Sequence, residues 1–215
     1  MKLPAFYPIL DTDRVPAIPA AEALLEAGAR ILQYRHKSFF SRTAFEEAAR
    51  IAELCRQAGA LFIVNDRADI AALLHAGLHL GQEDLAPADA RRILPAGSAI
   101  GFSTHNEGQL RAGHLEPVDY LAIGPIFETG SKLNPDPMVG LEALGAWRAL
   151  TQKPLVAIGG ITRQSAPRVF QAGADSVAIL GDLIPNPCTA AALRARAEEW
   201  IAISDDARAR DAPQQ

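Results

Sequence analysis

Strand and helix signals alternate about eight times along this chain, and that alternation leaves few folds open. Short β-branched or aromatic runs, such as Ala5–Leu10, Ile31–Arg35, Leu61–Val64 and Tyr120–Ile123, are each followed by apolar residues at helical spacing. The phrases AGARILQYR, HAGLHLG and QAGADSVAI repeat one rhythm, a helix ending in Ala-Gly with a strand directly after it. Such alternation requires parallel strands joined by right-handed crossovers. With 215 residues, the chain has close to the length of a small (β/α)8 TIM barrel. A single α/β barrel domain over residues 1–203 is the expectation, with a doubly wound open sheet as runner-up. The polar tail 204–215 is expected to fray. Among the helices, one over Ser41–Gln57 has Ser41 as a natural N-cap, and one over Arg67–His75 is expected to stop at Gly77.

Composition narrows the function classes. A formal charge of −4 without a basic stripe argues against nucleic acid as a partner, so any bound anion needs a few local cations. Cys55 and Cys188 offer neither a disulfide framework nor metal-ligand spacing, which fits a reducing cytoplasm. The start, MKLPAFYPIL, is too soon broken by proline for a signal sequence, and no apolar run approaches membrane-spanning length. Small molecules are therefore the expected partners, with no membrane; assembly into a homo-oligomer stays open.

In a parallel α/β sheet the residues just past each strand gather at one rim. Asn65 and Asp66 follow the third strand and Asp84 follows the fourth, giving two carboxylates and an amide, hard oxygen ligands suited to magnesium. The plainer reading makes Asp66 a helix cap and Asp84 a turn residue. The second strand ends in Gln33, Arg35, His36 and Lys37; Arg35 and Lys37 alternate with residues facing elsewhere, so both can point inward and hold phosphate. Ser103 ends the fifth strand as an anion donor or a helix cap. His79 and His105 read as packed or surface histidines. The irregular segment 124–140 carries Thr129, Gly130, Ser131 and Lys132, which suits a loop closing over a phosphorylated ligand. The last two strands end in Gly159-Gly160 and Leu180-Gly181, where free backbone N–H groups can approach an anion.

With these pieces in order, the chain resembles the thiamine-phosphate synthase family from about Phe6 to Ile201. The matching phrases are QYRHK at 33–37, ND at 65–66 with GLHLGQEDL at 77–85, GFSTH at 101–105, GPIFETGSK at 124–132 and VAIGGI at 156–161. The resemblance implies a (β/α)8-barrel transferase that joins a hydroxymethylpyrimidine diphosphate to a thiazole phosphate and releases diphosphate, using Mg2+. It implies that Gln33, Arg35, His36, Lys37, Asn65, Ser103 and Lys132 bind the pyrimidine diphosphate, with Arg35, Lys37, Ser103 and Lys132 catalytic. Asp66 and Asp84 would hold Mg2+, and Thr129, Ser131, Gly160, Leu180 and Gly181 the thiazole phosphate.

Two positions depart from that family's usual pattern: Gly181 stands where a serine is usual, and Ser131 where threonine is common. Two other readings remain. A thiazole tautomerase on the same barrel shares the Phe-Glu-Thr loop at 127–129, but needs a histidine where this chain has Pro125 and lacks the Asn65–Asp66 pair. A non-catalytic phosphate-ligand binding protein is the third.

Overall fold

A computed structural model describes residues 2–130 and 136–211. Its eight strands are β1 (Phe6–Asp11), β2 (Ile31–Arg35), β3 (Leu61–Asn65), β4 (Gly77–Leu80), β5 (Ile100–Thr104), β6 (Tyr120–Ile123), β7 (Leu155–Ile158) and β8 (Ser176–Ile179). They pair in chain order, all parallel, and β8 returns to β1 with Phe6 opposite Val177. The sheet is closed, which decides for the barrel over the open sheet. Between the strands run α1 (Ala17–Glu26), α2 (Arg42–Gln57), α3 (Ala68–Leu73), α4 (Pro87–Ile93), α5 (Glu107–Leu115), α6 (Gly140–Trp147) and α7 (Ala166–Gln171), and α8 (Ala190–Asp211) closes the chain.

Because successive strand residues point to opposite faces, each strand feeds two cores. Tyr7, Ile9, Ile31, Ile63, Tyr120, Val156 and Ala178 fill the barrel interior. Leu10, Leu32, Leu80, Leu121 and Val177 face outward and pack beneath helix residues such as Leu24, Ile51 and Trp200. Each fully buried leucine or isoleucine contributes about 1.5–3 kcal/mol of transfer free energy. Helix α2 shows the local logic: Ala44, Ala48, Ile51 and Cys55 form its buried face. Ser41 caps it, its Oγ accepting from the Ala44 N–H at 3.2 Å, as the sequence predicts.

Two expectations need correction. Helix α3 ends at Leu73, and the left-handed residue behind it is His75 at φ 52°, while Gly77 is already the first residue of β4. The His75 N–H donates to the Ala72 carbonyl, so the turn is closed before Gly77 is reached. At the other end, α8 runs on to Asp211 instead of ending near 203. Ser204 is fully buried, and the Arg208 guanidinium donates to the carbonyls of Leu3, at 2.8 Å, and Asp175. Those bonds tie the helix to the foot of the barrel through contacts that its polar composition does not announce.

Candidate active site

The strand ends surround a cavity of about 1130 Å³. Alternation selects its walls: Tyr7 and Ile9, Gln33 and Arg35, His79, Ser103, Ala122, Val156 and Ile158, and Ala178 and Leu180 all line it. Asn65, Asp66, Asp84, Lys37, Thr129, Gly160 and Gly181 complete the set that the sequence nominates. Among the nominated residues, Ser131 and Lys132 lie outside the described ones. His36 is described but does not line the cavity. The same alternation that turns Arg35 and Lys37 inward turns it out, where it stacks on Tyr34 and shares a 2.8 Å hydrogen bond between its Nδ1 and the Thr12 hydroxyl.

Two of the cavity's cations are held by carboxylates. Arg35 donates to the carboxylate of Asp11, which is 4 % exposed at the end of β1. Lys37 donates to Asp66. Asp66 sits at φ 63°, an uncommon conformation for a residue with a side chain, and its N–H donates to the His79 carbonyl at 2.8 Å. Burial raises the Asp84 pKa above the usual carboxylate range, and the neighbouring Asp66 carboxyl adds to the rise. The Gly81 N–H, at 2.7 Å from Asp84 Oδ2, opposes it. Asn65 adds a buried donor: its Nδ2 has no acceptor among the described residues.

A polar chain crosses the barrel interior just beneath these groups. Gln33 Nε2 donates to the Tyr7 hydroxyl at 2.9 Å; the Tyr7 and Tyr120 hydroxyls are 2.8 Å apart. Tyr120 meets His79 Nδ1 at 3.0 Å, and His79 Nε2 meets Ser103 Oγ at 2.9 Å. Burial lowers the His79 pKa from 6.5 to about 4, the nearby Asp66 raising it slightly and Lys37 lowering it further, so the ring is neutral at ordinary pH. Tyr120 fits only because residue 101 is glycine, where an added Cβ would lie 2.0 Å from the tyrosine ring.

At the opposite wall, Gly160 at φ 65° brings backbone close to the segment after β6; an added Cβ there would meet the Glu128 carbonyl at 2.4 Å. Gly181 has open space around it. Sequence reasoning missed four contributors: Tyr7, Tyr120, Asp11 and Arg14, an exposed cation that lines the cavity with no side-chain partner among the described residues. It placed His79 among packed or surface histidines, and the ring is indeed buried, yet it bonds a nominated residue. The tyrosines carry no motif signal, although their odd places in apolar strands could have flagged them.

Comparisons with known proteins agree with this geometry. A family model described as thiamine monophosphate synthase matches residues 6–183. A thiamine-phosphate synthase from Koribacter versatilis is 45% identical over 212 residues, covering 94% of this chain and 97% of the relative. One from Moorella thermoacetica is 42% identical over 180 residues, covering 83% and 86%. Among solved structures, thiamine phosphate pyrophosphorylase from Pyrococcus furiosus superimposes with a TM-score of 0.84 at 30% identity, covering 95% of this chain and 96% of that one.

Proposed function

The chain belongs to the thiamine monophosphate synthase family, and we propose that its cavity joins a hydroxymethylpyrimidine diphosphate to a thiazole phosphate, with release of diphosphate. It is a transferase of the thiamine-phosphate synthase kind. The observation that carries the reading of the site is the meeting, at one rim, of Arg35 and Lys37 with a close carboxyl pair, Asp66 and Asp84.

The residues fit a divalent ion. Burial above all, and then the neighbouring Asp66 carboxyl, make the charged form of Asp84 costly; a hard cation held by the two carboxylates would offset that cost. Asp66 and Asp84 would hold Mg2+, which when bound supplies charge neutralisation to the diphosphate. The chain's own groups do the rest. Arg35, aimed by Asp11, offers a fork to phosphate oxygens, and Lys37 offers a point charge. The orphan Asn65 amide supplies a donor for the same group. As negative charge builds on the departing diphosphate, these fixed cations stabilise it without reorganising. The aminopyrimidine can carry the positive charge left on its methylene, so the displacement is dissociative and the thiazole nitrogen captures the cation. No protein nucleophile takes part. Gln33 and Ser103 hold the pyrimidine, while Thr129, Gly160, Leu180 and Gly181 border the thiazole phosphate.

The test combines purified protein, both phosphorylated halves and Mg2+, and follows thiamine phosphate by fluorescence after oxidation. Product is expected; none, while a reference synthase succeeds in parallel, overturns the reading.

A further inference from the structure

With the Gln33 amide nitrogen turned toward Tyr7, the direction of the buried chain from Gln33 to Ser103 follows from counting protons. The Tyr7 oxygen already accepts from Gln33 Nε2, and Tyr7 is 1 % exposed. Its own proton therefore has one acceptor among the described residues, the Tyr120 oxygen at 2.8 Å. Were Tyr120 to donate to Tyr7 instead, the Tyr7 proton would be buried without a partner, at a cost of about 1–3 kcal/mol. Tyr120, fully buried, must then send its proton to His79 Nδ1 at 3.0 Å. A neutral imidazole that accepts at Nδ1 carries its hydrogen on Nε2. That hydrogen goes to Ser103 Oγ at 2.9 Å, which leaves the serine proton for the cavity. At the other end, the Gln33 amide nitrogen is tied to Tyr7, and its carbonyl oxygen has no partner among the described residues. The chain thus ends in a fixed acceptor at Gln33 and a fixed donor at Ser103, both on the cavity wall.

We propose that Tyr7 and Tyr120 are positioning residues that lock this polarity, and that the lock selects an aminopyrimidine over its oxo counterpart. The proposal rests on the substrate reading above and deepens it. A 4-aminopyrimidine offers an exocyclic N–H to the Gln33 carbonyl and a bare ring nitrogen to the Ser103 hydroxyl. In the 4-oxo compound the exocyclic oxygen accepts and the adjacent ring nitrogen bears hydrogen, so the Gln33 carbonyl meets another acceptor and the Ser103 proton is left without one. A site built to hydrogen-bond in one sense discriminates strongly against a ligand that leaves its buried groups unpaired. Neither tyrosine touches substrate in this account; each acts through Gln33 or His79.

Two measurements test it. In 15N-histidine-labelled wild-type protein, NMR should show His79 as the Nε2–H tautomer, and Tyr120→Phe should lose that preference. The Nδ1–H tautomer in wild type overturns the proposal, whether or not either variant folds. In turnover, wild type should prefer the amino over the oxo pyrimidine diphosphate by at least about 100-fold in kcat/KM. Tyr7→Phe frees the Gln33 amide to flip, and the ratio should shrink at least tenfold while KM for the thiazole phosphate stays put. An unchanged ratio in both folded tyrosine variants overturns the lock. Failure of wild type to join the natural halves would instead defeat the substrate reading, with the tautomer experiment still deciding the chain's direction.

Discussion

Asp11 and Arg35 form an ion pair across the ends of β1 and β2, with the carboxylate buried and the guanidinium at the cavity wall. The strand register places Asp11 opposite Arg35, so the contact follows from the barrel itself. One carboxylate oxygen aims the guanidinium, while the other accepts from the Asp13 N–H at 3.1 Å.

Asp11→Asn should therefore impair binding through a residue it leaves in place. Hydrogen bonds to charged groups are worth about 1.5–3 kcal/mol, so KM for the pyrimidine diphosphate should rise by about tenfold or more. KM for the thiazole phosphate should hold. Steady-state kinetics with each substrate varied in turn checks this, and an unchanged pyrimidine KM would show that Arg35 needs no anchor.

Asp66 separates stability from function. Its left-handed backbone costs a residue with a Cβ about 1–2 kcal/mol, a strain that glycine avoids. Asp66→Gly should stay within about 1 kcal/mol of wild type in denaturant unfolding, yet lose Mg2+-dependent turnover. Turnover at the wild-type rate would remove Asp66 from the proposed ion site.

Adding Mg2+ with inorganic diphosphate should raise the wild-type melting temperature, and chelation should reverse the gain. Asp84→Asn removes one of the two crowded carboxylates and should abolish most of that response. A full shift in the variant would place the ion elsewhere.

Stability should also depend on pH through His79. Its native pKa of about 4 lies below the 6.5 of an unburied imidazole, so between those values the unfolded chain binds more protons. The native state keeps this contribution above pH 6.5 and loses it as pH falls toward 4, at up to about 1.4 kcal/mol per unit. Urea unfolding at pH 7, 5.5 and 4.5, for wild type against His79→Gln, measures it. Equal slopes in the two proteins would mean the ring titrates normally.

Gly181 has room for a side chain. Gly181→Ser should add one hydroxyl donor beside the thiazole phosphate and lower KM for that substrate several-fold, since a hydrogen bond contributes about 0.5–1.5 kcal/mol. No change would put the phosphate beyond reach of position 181.

Much of the site could be read from the chain because strand ends are local events. Arg35, Asn65, Asp66, Asp84 and Ser103 each follow or end an apolar run, and a parallel barrel carries all such ends to one mouth. The structure sets His36 apart from Arg35 and Lys37, since neighbours in one charged cluster point opposite ways along a strand. The Gln33–Tyr7–Tyr120–His79–Ser103 chain was out of reach for a different reason. Its members come from five strands, and Tyr7 and Tyr120 lie 113 residues apart.

The sequence by itself determined the alternation of strand and helix, the parallel sheet that follows, and the acidic and basic residues delivered to its rim. These rest on periodicity and short turns, which act over a few residues. The tertiary structure alone decided which carboxylate serves which cation, where the interior tyrosines meet, and where the last helix stops. Those outcomes depend on register and close approach between distant strands, and on the need of buried polar groups for partners that no local pattern names.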